Sequence, residues 1–183
     1  MNPALVETLR SAQRLGFFGR RSVEEAIEHS MDFVGAITDV DAATRLVDLG
    51  SGGGLPGLLI ADRRPDIEVV LLDRRQKRTD FLERAVTRLG QARTTVLCAD
   101  VSALIGAVRS GSADSFDIVT ARGFGPPEFT LRSAAALLAD HGRVVISEPP
   151  AGDRWDPDLL AELGFLAARH GAVRVFERHS RRR

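Results

Sequence analysis

The 183-residue chain predicts a doubly wound α/β fold: a largely parallel sheet, opened by a helical extension and closed by an antiparallel hairpin. Three observations predict it. From Thr44 onward, short apolar runs alternate with amphipathic stretches. A glycine-rich turn, Gly50-Ser51-Gly52-Gly53-Gly54, follows the first run. Near the end, His170-Gly171 separates two short apolar-alternating segments.

Residues 1–40 predict two helices. Leu5, Val6, Leu9 and Ala12 form one apolar stripe, and Val23, Ala26, Ile27, Met31 and Val34 form a second. Ser22 and Glu25 have capping-box spacing at the start of the second helix. Between the helices, Gly16-Phe17-Phe18-Gly19-Arg20-Arg21 is a break. Its two rings read first as a latch onto the main domain, and otherwise as a substrate lip. Arg45 to Asp48 is the first strand, and a short helix starts at Pro56 beyond the glycine turn. Ile67 to Leu72 is a second strand, apolar on both faces as a covered strand is. A helix carrying Phe81, Leu82, Ala85, Val86 and Leu89 leads to a third strand, Thr94 to Leu97. Val101 to Val108 is helical, Phe116 to Thr120 a fourth strand, Leu131 to Leu138 helical, and Arg143 to Ile146 a fifth strand. A short helix from Asp156-Pro157 to Leu163 precedes the hairpin of Phe165–Arg169 and Val173–Glu177. Arg181-Arg182-Arg183 reads as a frayed tail. The whole chain, 1–183, is expected to be one domain, with residues 44–178 as its ligand-binding core and 1–40 as the extension.

Composition sets limits. With 25 basic and 25 acidic residues the net charge is zero, so bulk charge gives no argument for nucleic-acid binding. Cys98 is the lone cysteine, which rules out an intrachain disulfide and points to a reducing, cytoplasmic compartment. It is expected as a buried thiol on the third strand. Glu7 and Arg10 interrupt the first apolar stripe, so it does not read as a secretory signal, and no apolar run has membrane-spanning length. The histidines and acids show no metal-ligand spacing, so no metal is expected.

The glycine turn is where the ligand is expected. Gly52, Gly54 and Gly57 satisfy G-x-G-x-x-G, a weak pattern shared by dinucleotide sites. Asp48, at the strand end before Gly50, is the discriminating residue. A pyrophosphate wants bare N–H groups and a positive helix terminus, and an acid there repels it. S-adenosylmethionine carries an ammonium and a sulfonium and no phosphate, so the same acid favours it. Asp73, closing the second strand, suits both ribose hydroxyls. Asp100, past the third strand, either accepts from an adenine amine or simply caps the following helix.

These residues resemble a known family. Asp48-Leu49-Gly50-Ser51-Gly52-Gly53-Gly54-Leu55-Pro56-Gly57 is similar to the signature of the bacterial 16S rRNA guanine-N7 methyltransferases (RsmG, or GidB). The likeness continues through Leu71-Leu72-Asp73, Lys77-Arg78, Phe81-Leu82, Ala99-Asp100 and Val119-Thr120-Ala121-Arg122. His29 and Asp32 resemble the family's His-x-x-Asp element; without the resemblance they read as a solvated helix face. The resemblance implies a class I methyltransferase of Rossmann-like fold, with S-adenosylmethionine as cofactor and 16S rRNA of the small ribosomal subunit as partner. It implies donor contacts at Gly50, Leu55, Ala99, Asp100 and Arg122. Asp48, Gly52 and Asp73 join them from the argument above.

Arg122 is also the candidate for positioning the acceptor, its alternative being a salt bridge to a neighbouring carboxylate. Guanine N7 carries an in-plane lone pair and loses no proton before attack. Alignment and charge stabilisation then suffice, and no general base is expected. Arg74, Arg75, Lys77 and Arg78 read as a solvated helix face that could also meet an RNA backbone. Two departures stand out. The family's Asn-Leu-Thr stretch is missing near Phe17-Phe18-Gly19-Arg20. After the fifth strand Ile146-Ser147-Glu148-Pro149-Pro150 replaces Leu-Lys-Gly, which predicts a reversed charge in the acceptor groove. The competing readings are a methyltransferase of another RNA or a small molecule, a non-catalytic S-adenosylmethionine binder, and a nicotinamide oxidoreductase.

Overall fold

The computed structural model describes residues 2–17, 19, 22–149 and 154–178. Helices α1 (Pro3–Arg14) and α2 (Val23–Gly35) precede β1 (Arg45–Leu49), α3 (Gly57–Arg63), β2 (Glu68–Asp73), α4 (Gln76–Leu89) and β3 (Thr94–Cys98). Then come α5 (Val101–Arg109), β4 (Phe116–Ala121), α6 (Pro127–Leu137), β5 (Leu138–Ser147), α7 (Pro157–Leu163) and the hairpin β6 (Phe165–His170) and β7 (Val173–Arg178). The strands form one sheet in the order β3-β2-β1-β4-β5-β7-β6. β1 to β5 are mutually parallel, and β7 runs antiparallel to both β5 and β6. The doubly wound fold with its terminal hairpin is therefore as the sequence predicts.

The strand pleat sorts the core into two layers. Leu46, Val69, Leu71 and Ile118 face α1 to α4, whereas Val47, Leu49, Leu72 and Val119 face α5 to α7. The helical extension belongs to the first layer: Leu5, Leu9, Phe33 and Ile37 are fully buried there. Of its two helix starts, that of α2 is as predicted. Asn2 accepts the Ala4 N–H at the head of α1, and Ser22 and Glu25 close a reciprocal capping box on α2. Phe17 is the latch. Its ring meets Phe81 edge-on at 5.5 Å and lies under the Arg78 guanidinium. Phe18, Arg20, Arg21, Pro150 and the Arg181-Arg182-Arg183 tail lie outside the described residues.

Several expectations change. α6 starts at Pro127 and not at Leu131, and β5 takes over immediately at Leu138. Phe116 pairs with Leu138 and Ile118 with Arg143, so the added length is an irregular lead-in that periodicity could not show. Cys98 is exposed, not buried. β3 is an edge strand, with a neighbour on one side only, and its last two residues are exposed. His29 and Asp32 are not a solvated face. Asp32 is half-buried, and its Oδ2 accepts the Ala172 N–H at 2.7 Å, holding the β6–β7 turn against α2.

Candidate active site

β1 lies between β2 and β4, so the chain winds outward in one direction, returns, and winds in the other. A crevice opens at such a switch point, beyond the carboxyl ends of the strands. Here it has a volume of about 400 Å³, of the size that holds a small organic molecule. Gly50 contributes from β1, Asp73 and Arg74 from β2, Ala99 and Asp100 from β3, Gly123 to Pro126 from the segment after β4, and Phe129 from α6.

The glycine turn is stitched to the end of β2. The Ser51 N–H donates to the Leu72 carbonyl and the Gly52 N–H to Asp73 Oδ2, both at 3.0 Å. Gly50 and Gly52 have φ of +67° and +55°, left-handed values that glycine adopts without Cβ strain. Asp73 is 4% exposed and accepts the Arg75 N–H at Oδ1 and the Arg78 guanidinium at Oδ2, 3.2 Å away. One carboxylate therefore walls the crevice and fixes the turn above it.

Of the two roles the sequence left open for Asp100, the structure shows the helix cap. The residue lines the crevice, and its Oδ1 caps α5 by accepting the Ser102 N–H at 3.0 Å and the Ser102 hydroxyl at 2.8 Å. Those bonds, with the charge of Arg74, hold its carboxyl below the usual range.

Gly50, Asp73, Ala99 and Asp100 thus come together as expected. Asp48, Gly52, Leu55 and Arg122 do not reach the wall. Gly52 lies behind Asp73, and Leu55 is packed in the core layer of α1 to α4. The pleat explains the other two. Position 48 points with Leu46 toward the covered face, and Arg122 continues the side of Thr120. Asp48 is 1% exposed and accepts the Thr120 hydroxyl at 2.7 Å. Arg122 donates to Ser30 on α2 at 3.1 Å and lends its charge to Asp48. The electrostatic discrimination expected from Asp48 therefore does not act at the wall, where Arg74, Arg75 and Arg78 stand instead.

Burial pushes the Asp48 carboxyl up from 3.8 to about 6, against the Thr120 and Ser51 hydroxyls, the Gly57 N–H and Arg122. Between those values the folded chain holds a proton that the unfolded chain has lost. Stability therefore falls as pH rises through that window, then levels off. Asp48→Asn removes the titration. Its stability should match the wild type near about pH 4 and exceed it near about pH 7.5 by up to about 3 kcal/mol, seen as a higher thermal midpoint. Melting curves of both proteins across that range check this; a difference independent of pH would contradict it.

Glu148 is the largest correction. It presents no acid to an acceptor groove: it is 3% exposed, and its carboxylate is enclosed. The Trp155 indole N–H donates to Oε1 at 2.9 Å, the Arg154 guanidinium to the same oxygen at 3.1 Å, and Arg174 pairs with Oε2 at 3.5 Å. The reversed charge is internal, and it is compensated.

Phe124 and Phe129, which the strand-and-helix patterns pass over, also line the crevice. Phe124 sits outside any strand or helix and Phe129 near the start of α6, and only the small residues Gly123 and Gly125 around Phe124 mark a segment built for close approach.

A family model described as rRNA small subunit methyltransferase G (GidB) matches residues 5–148, which takes in every crevice residue above. The chain belongs to that family. The rRNA small subunit methyltransferase G of Laribacter hongkongensis is 38% identical over 114 residues, covering 62% of this chain and 52% of its own. That of a Nocardioides species is 39% identical over 147 residues, covering 71% and 56%. This methyltransferase G family member thus spans little more than half the length of the relatives it matches. A predicted O-methyltransferase from Agrobacterium tumefaciens has a similar fold: TM-score 0.58, 25% identity, with 82% of this chain and 81% of that one covered. The Rossmann-like class I methyltransferase fold follows.

Proposed function

We propose that the chain is an S-adenosylmethionine-dependent methyltransferase acting on guanine N7 of 16S rRNA in the small ribosomal subunit. The observation that carries the reading is the crevice at the switch point, where Asp73 and Asp100 stand on successive strand ends in a member of this family. The residues present fit the donor. Asp73 offers a carboxylate to ribose hydroxyls, and Leu72 and Val101 give apolar walls for adenine. When bound, S-adenosylmethionine supplies an electrophilic methyl group on a positively charged sulfur.

The protein's own part is placement. Gly50 lines the crevice without a side chain, and Asp73 fixes the turn that carries it. No described side chain has to remove a proton, because N7 attacks through a lone pair. Arg122 is assigned a positioning role: tied to Ser30, it fixes α2 beside the end of β4, where the acceptor would enter. Arg74 and Arg75, exposed at the rim, are placed to meet phosphate oxygens. The chain lacks the length of its relatives, yet the enclosed Glu148 removes the one charge that argued against an RNA acceptor.

The test is transfer of label from the donor to small subunits isolated from a strain without the family enzyme. Label on a guanine supports the proposal; tight donor binding with no labelled RNA would leave a binder or a different acceptor. In the same assay Arg122→Ala should lower turnover by about tenfold or more, while affinity for S-adenosylhomocysteine stays within about threefold. Ser30→Ala should give a smaller loss of the same kind. Equal loss of donor affinity and turnover would remove Arg122 from the acceptor side.

A further inference from the structure

The rings of Phe124 and Phe129 stack at the mouth of the crevice, with centroids 5.7 Å apart and planes 21° from parallel. Two glycines bring them there. A Cβ on Gly50 would stand 2.8 Å from the Phe124 ring, and one on Gly125 would stand 3.1 Å from that of Phe129. Phe124 thus lies against the glycine turn, while Phe129 leaves the crevice at the start of α6 and is 51% exposed. An exposed ring continuous with a ligand crevice is an apolar surface that its own fold leaves uncovered.

Its position separates it from the donor's expected seat. Asp73 and Asp100 belong to the β2 and β3 side of the crevice, and the two rings to the β4 and α6 side. Exposed Arg74 and Arg75 stand on the far rim. A stacked aromatic pair with one exposed ring, opposite a pair of cations, matches an unstacked nucleotide, with its base on the outer ring and its phosphate toward the arginines.

We propose that Phe124 and Phe129 form the stacking platform for the acceptor base, a purine turned out of its RNA strand. The proposal deepens the reading of an RNA acceptor and rests on it. Phe124 anchors the pair against the glycine turn, and Phe129 extends it outward. Stacking on an aromatic ring works with any base, so the platform supplies affinity and orientation. Choice of the base falls to polar groups at its edge.

The test uses the full chain carrying Phe129→Ala, Phe129→Leu or Phe129→Trp. The KM for small ribosomal subunits should rise about tenfold in the alanine and leucine variants and return toward wild type with tryptophan. Affinity for S-adenosylhomocysteine should stay within about twofold in all three, since the ring lies away from the donor side. The tryptophan variant also gives a readout that needs no turnover. With S-adenosylhomocysteine bound, guanosine 5′-monophosphate should quench its fluorescence, and ribose 5-phosphate should not. That arm separates the two ideas: absent methylation with base-specific quenching removes the rRNA reading and keeps the platform. An unchanged KM in the alanine variant, leucine as good as tryptophan, no base-specific quenching, or a parallel loss of S-adenosylhomocysteine affinity would each overturn the proposal.

Discussion

Glu148→Lys should abolish stable folding. The carboxylate of Glu148 is enclosed by Arg154, Arg174 and the Trp155 indole. A lysine there would replace the buried anion by a third cation and turn the attraction into repulsion in a site with little water. The milder Glu148→Ala leaves the Trp155 indole N–H and two part-exposed arginines without their acceptor and should cost about 1–3 kcal/mol. For a domain of this size that is a fall in thermal midpoint of roughly 2–12 °C. Melting curves of the three proteins decide it. A lysine variant as stable as the wild type would mean that position 148 faces solvent, and the charge argument against an RNA groove would return.

Asp73→Ala carries the second large effect. The side chain accepts the Gly52 and Arg75 N–H groups and pairs with Arg78, so its loss frees the glycine turn as well as removing the expected ribose acceptor. Each charge-assisted bond is worth about 1.5–3 kcal/mol, so affinity for S-adenosylhomocysteine should drop by about 100-fold or more. Asp73→Asn keeps the shape and one acceptor oxygen, and should recover part of the loss. Calorimetric titration of both variants reads it directly. An alanine variant that binds within a few-fold of wild type would place the ribose elsewhere.

Most of the architecture was legible because the signals were local. Alternation over short runs gave the strands, and the Ser22–Glu25 spacing gave the start of α2. The strand-end residues Gly50, Asp73, Ala99 and Asp100 were legible too, since a doubly wound sheet brings consecutive strand ends to one place. What the residues could not show was direction. Asp48 looks like a crevice acid until the pleat is counted from Leu46, which turns it toward the helices. Arg122 follows the same parity to Ser30. Glu148 resembled an exposed charge because its partner Arg174 arrives with the antiparallel hairpin, and no spacing rule connects them. Phe129 reads as one more apolar residue near a helix start until the glycine beside it allows the ring to fold outward.

The bond from Asp32 to the Ala172 N–H joins positions 140 apart in the chain. Val173, beside it, is fully buried in the same layer as Phe33 and Ile37. During synthesis, therefore, the first two helices emerge long before the turn that completes their seat. Until residue 172 leaves the ribosome, their apolar stripes have only a partial docking surface, and that stretch of nascent chain is the part a chaperone would most readily hold.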